Sequence, residues 1–254
     1  MRKLINLPGL IFLAALATVW QIVAVVAASP GFPGFVAVAA ALAGDAPAIG
    51  GALLVTLGRA FAGFAIALVI ALPGGVLLGR VRGLRALAEP VIELIRPLPA
   101  IAVIPLAMIF FGIGSTAKIA VVVYGAAFPI LINAMEAVGG SHPMLATMAR
   151  SYGLSRFAIM REIDLPAALP QVVAGIRISL ALSVLLGVVS EMILSSDGLG
   201  TYLVRAQQNF QIARVLAALL VIALTALAVN AAMGAAERRL LAWHHGRQAG
   251  GGAR

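Results

Sequence analysis

The chain has 254 residues, of which 62% are hydrophobic and 11% charged, with a formal net charge of +9. A soluble domain carries about 25% charged residues because water must wet its surface, so this composition excludes a soluble globular protein and predicts an integral membrane protein. The basic residues lie in short gaps between apolar segments and not on one water-facing surface, so nucleic acid is not an expected partner. The absence of cysteine excludes disulfides and thiolate sites.

Six apolar segments are long enough to cross a lipid bilayer, which takes about 20 residues per helix. A lone apolar segment in lipid must satisfy its own backbone hydrogen bonds, so each is predicted to be helical, and the fold class is all-α and polytopic. A short helix is also expected at 34–43, and a tight turn at 112–116 between the third and fourth segments. No internal repeat is visible. The predicted spans are 10–28, 52–79, 95–112, 117–138, 170–193 and 213–236.

The distribution of lysine and arginine predicts the orientation, because cytoplasmic loops are enriched in both. With a cytoplasmic N-terminus, 13 basic residues fall on the cytoplasmic side and 3 on the outer side. Both termini are therefore predicted to be cytoplasmic. The 13 are Arg2, Lys3, Arg80, Arg82, Arg85, Arg96, Arg150, Arg156, Arg161, Arg238, Arg239, Arg247 and Arg254, and the 3 are Lys118, Arg205 and Arg214.

The first apolar segment has two interpretations. It follows two basic residues and ends in Val-Ala-Ala-Ser-Pro, as a cleaved signal peptide does, but it is longer than a usual signal core of about 7–15 residues. A retained helix is the expectation. The chain then divides into a first helix and outer segment (1–50), a membrane core (51–240) and a disordered tail (241–254).

Sequence motifs of common enzymes are missing from the chain. Neither lysine stands in a Gly-Lys-Ser/Thr loop, and no nucleophile elbow, dinucleotide-binding glycine pattern or His-Glu-x-x-His motif is present. The three histidines, His142, His244 and His245, lie in a loop and near the C-terminus. We therefore expect no catalytic residue, cofactor or metal site.

The longest loop on the predicted cytoplasmic side, residues 139–169, has the pattern of two short helices. Ser141 is a helix-capping residue type with Pro143 in the first turn, and Gly153 stands where a left-handed residue ends a helix. Ser155 is placed to cap a second helix, which is expected to stop before Pro166. The apolar residues of these helices are Met144, Leu145, Met148, Ala149 and Tyr152, then Phe157, Met160 and Ile163.

An apolar helix pair in a water-facing loop is expected to pack on another surface. That surface is either a partner protein or the ends of the chain's own membrane helices. The residues alone do not decide between the two.

The loop resembles the signature of permease subunits of binding-protein-dependent ATP-binding-cassette importers, which reads Glu-Ala-Ala, three residues, Gly, nine residues, Ile, one residue, Leu-Pro. Gly153 is followed at that spacing by Ile163, Leu165 and Pro166, and Leu154 comes directly after the glycine. The Glu-Ala-Ala positions hold Thr147, Met148 and Ala149, of which only Ala149 agrees. Three further segments are similar to the subgroup that imports nitrate, sulfonates and taurine: 96–105, 111–114 and 196–200.

The resemblance implies an importer permease fold of the type I class in a bacterial inner membrane. It implies that region 141–166 couples the permease to two copies of a cytoplasmic ATP-binding subunit, that a periplasmic solute-binding protein delivers the cargo, and that the permease forms a homodimer. The cargo it implies is a sulfonate, taurine or nitrate-like solute, with a thiamine precursor or another small organic solute as the alternative. It also implies that ATP is hydrolysed on the separate subunit.

Several polar and small residues within the predicted spans are candidates for special roles. An ionisable group at membrane depth marks a transport pathway, so Glu191 is a pathway candidate together with Ser183 and Ser190 on an overlapping face. The alternative is that Glu191 lies at the interface, paired with Arg205 or Arg214.

Other residues of the spans are expected to be structural. Arg59 is predicted to be interfacial, and Arg177 to snorkel or to pair with Glu162 or Glu136. The prolines at 97, 99 and 105 are expected to break the third span. Gly75, Gly79 and Gly83 recur at a four-residue spacing that permits close helix approach, and Ser195–Gly200 begins an outer loop suited to a gate.

Two other classes of protein are considered. A secondary transporter would usually carry charged pairs at mid-membrane, and few are visible in this sequence. An intramembrane enzyme would need a convergent set of polar groups in the spans, and none is visible.

Overall fold

The computed structural model describes residues 7–29, 31–139, 143–194 and 196–241, and this part of the chain is helical without a strand. Of the positions discussed above, 2, 3, 141, 142, 195 and those from 242 onward lie outside the described residues. The helices are α1 (Leu7–Ala27), α2 (Phe35–Gly44), α3 (Ala46–Arg80), α4 (Arg82–Ile95), α5 (Ile104–Phe111), α6 (Ser115–Gly139), α7 (Pro143–Ser151), α8 (Arg156–Ile159), α9 (Leu165–Ile193), α10 (Leu199–Gln208) and α11 (Ile212–Leu240).

Three long helices, α3, α6 and α9, form the centre of the bundle. Helix α6 lies between the other two and packs along most of its length against both. Its neighbour α3 runs parallel to it, since Gly63 faces Val122 and Gly79 faces Met135. Helix α11 packs at the periphery on α2, α9 and α10, and α1 contacts α2. Because α3 and α6 run in the same direction, their N-terminal ends lie at one end of the bundle and their C-terminal ends at the other.

Small residues allow α3 and α6 to approach closely. A Cβ atom built on Gly75 would meet the backbone carbonyl of Leu131, and one built on Gly79 would lie 2.5 Å from that of Met135. Glycines at these positions let helix backbones touch, so the predicted close approach is confirmed there. It is wrong for Gly83, which lies in α4 and has nothing within 4 Å of a built Cβ.

The predicted third span, 95–112, is not one helix. Helix α4 ends at Ile95, a 3₁₀ turn covers Ala100–Val103, and α5 follows; the two helical parts meet at a bend of 90°. The predicted break is confirmed at Pro97 and Pro99, which lie between the helical parts and lack the N–H groups that would continue a helix. It is wrong for Pro105, which lies in the first turn of α5, where a proline is tolerated. The turn after α5 is also as predicted, with Gly112 at φ +73°.

The fifth span begins earlier than predicted. A π-helical segment, Met160–Asp164, joins α8 to α9, so that Phe157–Ile193 is one helical rod of 37 residues. The prediction that the second loop helix stops before Pro166 is therefore wrong. A proline is tolerated in the first turn of a helix, and the wider π turn before Pro166 lets the chain continue without its N–H group.

Within the described residues, four helices are long and apolar enough to cross a membrane: α3, α6, the rod 157–193 and α11. A fifth is added if the bent pair α4–α5 counts as one span. The first predicted span is present as α1, which is 21 residues long. Its segment Ala14–Ala27 is apolar but shorter than the four helices named above. The short helix predicted at 34–43 is α2.

Candidate functional site

Helices α7 and α8 and the π segment form a helical hairpin, residues 143–164, with its corner at Gly153. Gly153 has φ +81°, its N–H donates to the carbonyl of Arg150 (2.9 Å), and the N–H of Leu154 donates to the carbonyl of Ala149 (3.1 Å). This pair of hydrogen bonds is a Schellman motif, which favours glycine because side chains clash at positive φ. The predicted glycine corner is confirmed.

The second half of the hairpin starts at a serine cap. Ser155 Oγ accepts a hydrogen bond from the N–H of Ala158 at 3.2 Å, as a capping residue does. The predicted cap is confirmed.

The hairpin has one buried face and one exposed face. Ala149 and Ile159 are buried, whereas Met144, Met148, Phe157 and Tyr152 are exposed, the last at 82%. Four large apolar side chains thus remain uncovered on a short segment, which is typical of a surface that binds a partner. The part of the chain that the structure describes therefore leaves this apolar face uncovered.

A cavity of about 410 Å³ separates the hairpin from the adjacent ends of α3 and α6. Its lining includes Thr147, Arg150, Asp164 and Leu165 from the hairpin region and Gly139 from α6. The hairpin therefore touches the bundle lightly here, while its second half continues directly into α9. Among the residues predicted to couple, Ile163 and Pro166 are half-buried, and Thr147 and Leu165 are exposed.

At the opposite end of the bundle, four charged side chains form an ion network: Arg59, Lys118, Glu191 and Asp197. Glu191 lies 26 residues after Leu165, which places the network about 39 Å from the hairpin along α9. Arg59 Nη1 lies 2.8 Å from Glu191 Oε1, and Arg59 Nη2 lies 2.6 Å from Asp197 Oδ1. The guanidinium therefore bridges α9 and the loop that follows it.

Every charge in this network has hydrogen-bond partners. Thr56 Oγ1 donates to Glu191 Oε2 at 2.6 Å, and the backbone N–H of Gly200 donates to the same oxygen at 3.2 Å. Arg59 Nε and Nη2 donate to Ser115 Oγ at 3.1 and 2.9 Å. Buried charges are tolerated when they are paired and fully hydrogen-bonded, as these are.

Lys118 and Asp197 complete the network on the side of α6. Lys118 is fully buried, and its Nζ donates to Ser196 Oγ (2.7 Å) and lies 3.3 Å from Asp197 Oδ1. The hydrogen bond from Ser196 to its carboxylate, followed by that from Arg59, lowers the pKa of Asp197 from its ordinary value of 3.8 to about 2. Asp197 is therefore ionised across the whole physiological pH range.

Two glycines bring the loop 196–200 against Glu191. Gly198 has φ +98°, and a Cβ built on it would collide with the Glu191 carboxylate. A Cβ on Gly200 would meet the carbonyl of Val188. The Ser-Asp-Gly-Leu-Gly segment is thus shaped to wrap the buried carboxylate, and α10 starts directly after it.

The network corrects three predictions from the sequence. Arg59 was expected at the interface and is buried in the network instead. The alternative partners of Glu191, Arg205 and Arg214, do not contact it: Arg205 donates to the carbonyl of Ser196, and Arg214 pairs with Asp45. Lys118, placed among the outer-loop residues by sequence, lies inside the bundle.

Arg177 also differs from its prediction. It donates to Asn230 and pairs with Glu237 of α11, not with Glu162 or Glu136.

The other two pathway candidates lie deep in α9. Ser183 and Ser190 are fully buried, and their hydroxyls donate to carbonyls of their own helix, those of Ser179 (2.7 Å) and Gly187 (2.8 Å). Each hydroxyl is satisfied within its own helix, and neither lines the cavity at the hairpin. Ser190 directly precedes Glu191 in the chain and is equally buried, whereas Ser183 lies two helical turns closer to the hairpin.

Several long apolar helices with a helical hairpin at one end of the bundle are the architecture of a multi-pass membrane protein. Residues 63–242 match the family described as binding-protein-dependent transport system inner membrane component. The chain belongs to this family and is a permease of an ATP-binding-cassette importer, a multi-pass protein of the inner membrane.

The relatives include named transport systems. The taurine transport system permease protein TauC of Escherichia coli (strain K12) is 33% identical over 192 residues, which cover 76% of this chain and 70% of TauC. A Bacillus subtilis (strain 168) protein named as an aliphatic sulfonates transport permease, SsuC, is 29% identical over 244 residues, which cover 93% of this chain and 87% of that protein.

Solved structures share the fold. The MetNI methionine transporter, in inward-facing conformations, matches with a TM-score of 0.63 and 23% identity over 76% of this chain and 95% of that chain. An amino acid transporter matches with a TM-score of 0.62 and 17% identity, over 78% and 96%. The predicted fold class and the predicted family are confirmed.

Proposed function

We propose that this permease carries a small sulfonate, such as taurine or an alkanesulfonate, across the membrane with energy from ATP hydrolysed on a separate subunit. The relatives named above for taurine and aliphatic sulfonates support the cargo. The exposed face of the hairpin supports the separate energy source, because the chain has no nucleotide-binding loop of its own. The complex contains two copies of the permease, two ATP-binding subunits and one periplasmic solute-binding protein.

The hairpin is the coupling element. Its exposed side chains, Met144, Met148, Tyr152 and Phe157, enter a groove on the ATP-binding subunit, while the coupling positions Thr147, Ala149, Gly153 and Leu154 hold the corner in shape. Because Ile163, Leu165 and Pro166 continue the hairpin into α9 without a break, a movement of the hairpin tilts the whole rod. A rigid helix transmits such a displacement, whereas a flexible linker would absorb it. This continuity is the observation that carries the proposal.

The ion network lies at the far end of that rod and holds the loop 196–200 on the outer side. Glu191 thereby acts on the pathway indirectly, by fixing the loop and the ends of α3 and α9. Ser183 and Ser190 contribute to the pathway only if α9 turns, since their hydroxyls point to its own backbone in this structure. Both termini are cytoplasmic in this proposal, which the excess of basic residues in the loops on the side of the hairpin supports.

Cross-linking tests the coupling proposal and the orientation together, because the chain has no natural cysteine. Tyr152→Cys introduces a thiol on the hairpin, and Phe210→Cys introduces one at an equally exposed position (85%) near the opposite end. We expect Tyr152→Cys to cross-link to a cysteine in the groove of the ATP-binding subunit, and Phe210→Cys to react in intact cells with a membrane-impermeant maleimide. Cross-linking from Phe210→Cys, or labelling of Tyr152→Cys from outside the cell, would contradict the proposal.

A further inference from the structure

The break in the third span lies at mid-height of the bundle, not at its cytoplasmic end. Tyr124 Oη donates to the carbonyls of Ile95 (2.9 Å) and Leu98 (3.3 Å), and so joins the break to α6. Tyr124 lies nine residues after Ser115 and fifteen before Gly139, about 14 and 22 Å from the two ends of α6. Arg96, which the sequence assigned to the cytoplasmic side, is therefore at membrane depth.

Arg96 lines the largest cavity described here, about 510 Å³, between the break, α6 and α9. Among the described residues that line it, Arg96 alone is charged; most of the others are apolar, such as Ile101, Phe128 and Leu182. The two other polar side chains of the wall form hydrogen bonds within the protein. Tyr124 Oη donates to the carbonyl of Ile95, and Asn133 Nδ2 donates to the carbonyl of Pro129. Among the described lining residues, the guanidinium is thus the charged donor without a protein partner.

Arg96 is exposed to the cavity and differs from three basic side chains of the central helices. Arg59, Lys118 and Arg177 each pair with a carboxylate. The side chain of Arg96 forms no hydrogen bond or ion pair with any described residue. An unpaired cation at membrane depth is costly, and it is retained where it faces a water-filled route or an anion.

We propose that Arg96 and this cavity form an anion site of the transport route, which binds the sulfonate head of the cargo and accommodates its alkyl chain. A guanidinium binds an oxyanion through two parallel hydrogen bonds, and the cavity volume lies within the range of about 300–1,000 Å³ that small ligands occupy. Apolar walls with one cation select a small organic anion over a neutral solute of the same shape. This inference rests on the proposed function, and it names the residue that recognises the cargo class within the membrane.

Transport by the assembled complex tests the site. We expect Arg96→Gln to lower the initial rate of ATP-driven taurine uptake into proteoliposomes by about tenfold or more, as the loss of charge-assisted hydrogen bonds predicts. Arg96→Lys restores part of the rate, because it keeps the charge without the fork of donors. Arg85→Gln, on the same side of the break but paired with Glu89 instead, is the matched control and transports normally.

A binding measurement separates this inference from the proposed function. Ethanesulfonate is expected to raise the apparent Tm of the wild-type permease purified in detergent with its ATP-binding subunit but without the binding protein, which would itself bind the sulfonate. Neutral ethanesulfonamide and sodium chloride at equal ionic strength are expected to leave the Tm unchanged, and Arg96→Gln is expected to abolish the shift. If wild type takes up no sulfonate, the proposed cargo is wrong. If wild type transports it and Arg96→Gln does so equally well, or if the shift persists in Arg96→Gln, the anion site is wrong.

Discussion

Arg59 on α3 and Glu191 on α9 form a buried ion pair, 2.8 Å between Nη1 and Oε1, although 132 residues separate them in the chain. The pair holds together the ends of two central helices, and the same guanidinium reaches Asp197 in the loop before α10. The loop and both helices are therefore one mechanical unit at the end of the bundle opposite the hairpin.

Removing Arg59 leaves Glu191 buried without a counter-charge, whereas removing Glu191 leaves Arg59 still paired with Asp197. We expect Arg59→Gln to destabilise the protein by about 3–5 kcal/mol, the usual cost of breaking a buried ion pair, and Glu191→Gln to destabilise it by less. The double variant is expected to lose less than the sum of the two, because neither charge is then left unpaired. Thermal unfolding in detergent measures the stability of all three variants. If the double variant lost as much stability as the two single variants together, the two side chains would not stabilise the protein as a pair.

The stability contribution of Asp197 depends on pH. Its pKa is about 2 in the folded protein, against about 4 in an unfolded chain, so the folded state favours the ionised form. The contribution is fully present above pH 4 and is lost as the pH falls from 4 towards 2. We expect the difference in Tm between wild type and Asp197→Asn to shrink over that range, and modestly, because half of the side chain is exposed (53%). A difference that stays constant from pH 6 to pH 2.5 would contradict this.

Gly153 is the glycine of the hairpin with positive φ, and nothing lies within 4 Å of a Cβ built on it. Substitution by valine is therefore penalised by backbone conformation and not by space. We expect Gly153→Val to insert normally but to lose transport and copurification with the ATP-binding subunit. Gly83→Val, also in open space but without positive φ, is the matched control and is expected to retain both. Normal transport by Gly153→Val would count against the coupling role.

Neighbouring glycines in α3 differ in what surrounds them. A Cβ on Gly75 would collide with the backbone of Leu131, whereas a Cβ on Gly74 would lie 3.4 Å from the flexible end of the same residue. We expect Gly75→Ala to destabilise the bundle by about 1–3 kcal/mol, as overpacking does, and Gly74→Ala to be neutral or slightly stabilising. Equal effects of the two substitutions on unfolding would show that α3 and α6 do not meet at this stripe.

The sequence predicts the helices and the hairpin corner well, because both depend on local chemistry. Lipid requires long apolar segments, and a left-handed residue at the end of α7 favours glycine, so both features are visible in the order of residues alone. The Pro166 prediction is wrong because a π turn absorbs the missing hydrogen bond, and such turns have no clear sequence signal.

The ion network and the mid-height position of Arg96 are not visible in the sequence. Charge counting treats Arg59, Arg96 and Lys118 as residues of span ends and loops, and gives no information on which helix ends lie side by side. The burial of Arg59 and Lys118 depends on the parallel packing of α3 and α6, and the mid-height position of Arg96 depends on the 90° bend at the prolines. Both are properties of tertiary structure; only the rare acidic residue in an apolar span, Glu191, signalled that a basic partner must be near.

The central claim is that this bundle moves its solute only when a separate ATP-binding subunit acts on the hairpin. Uptake of labelled taurine into proteoliposomes tests it most directly, with the permease alone under a proton or sodium gradient and with the permease, ATP-binding subunit and binding protein supplied with ATP. We predict no gradient-driven uptake by the permease alone and ATP-dependent uptake by the full complex. Uptake by the permease alone along an ion gradient, with no ATP hydrolysed, would contradict the account.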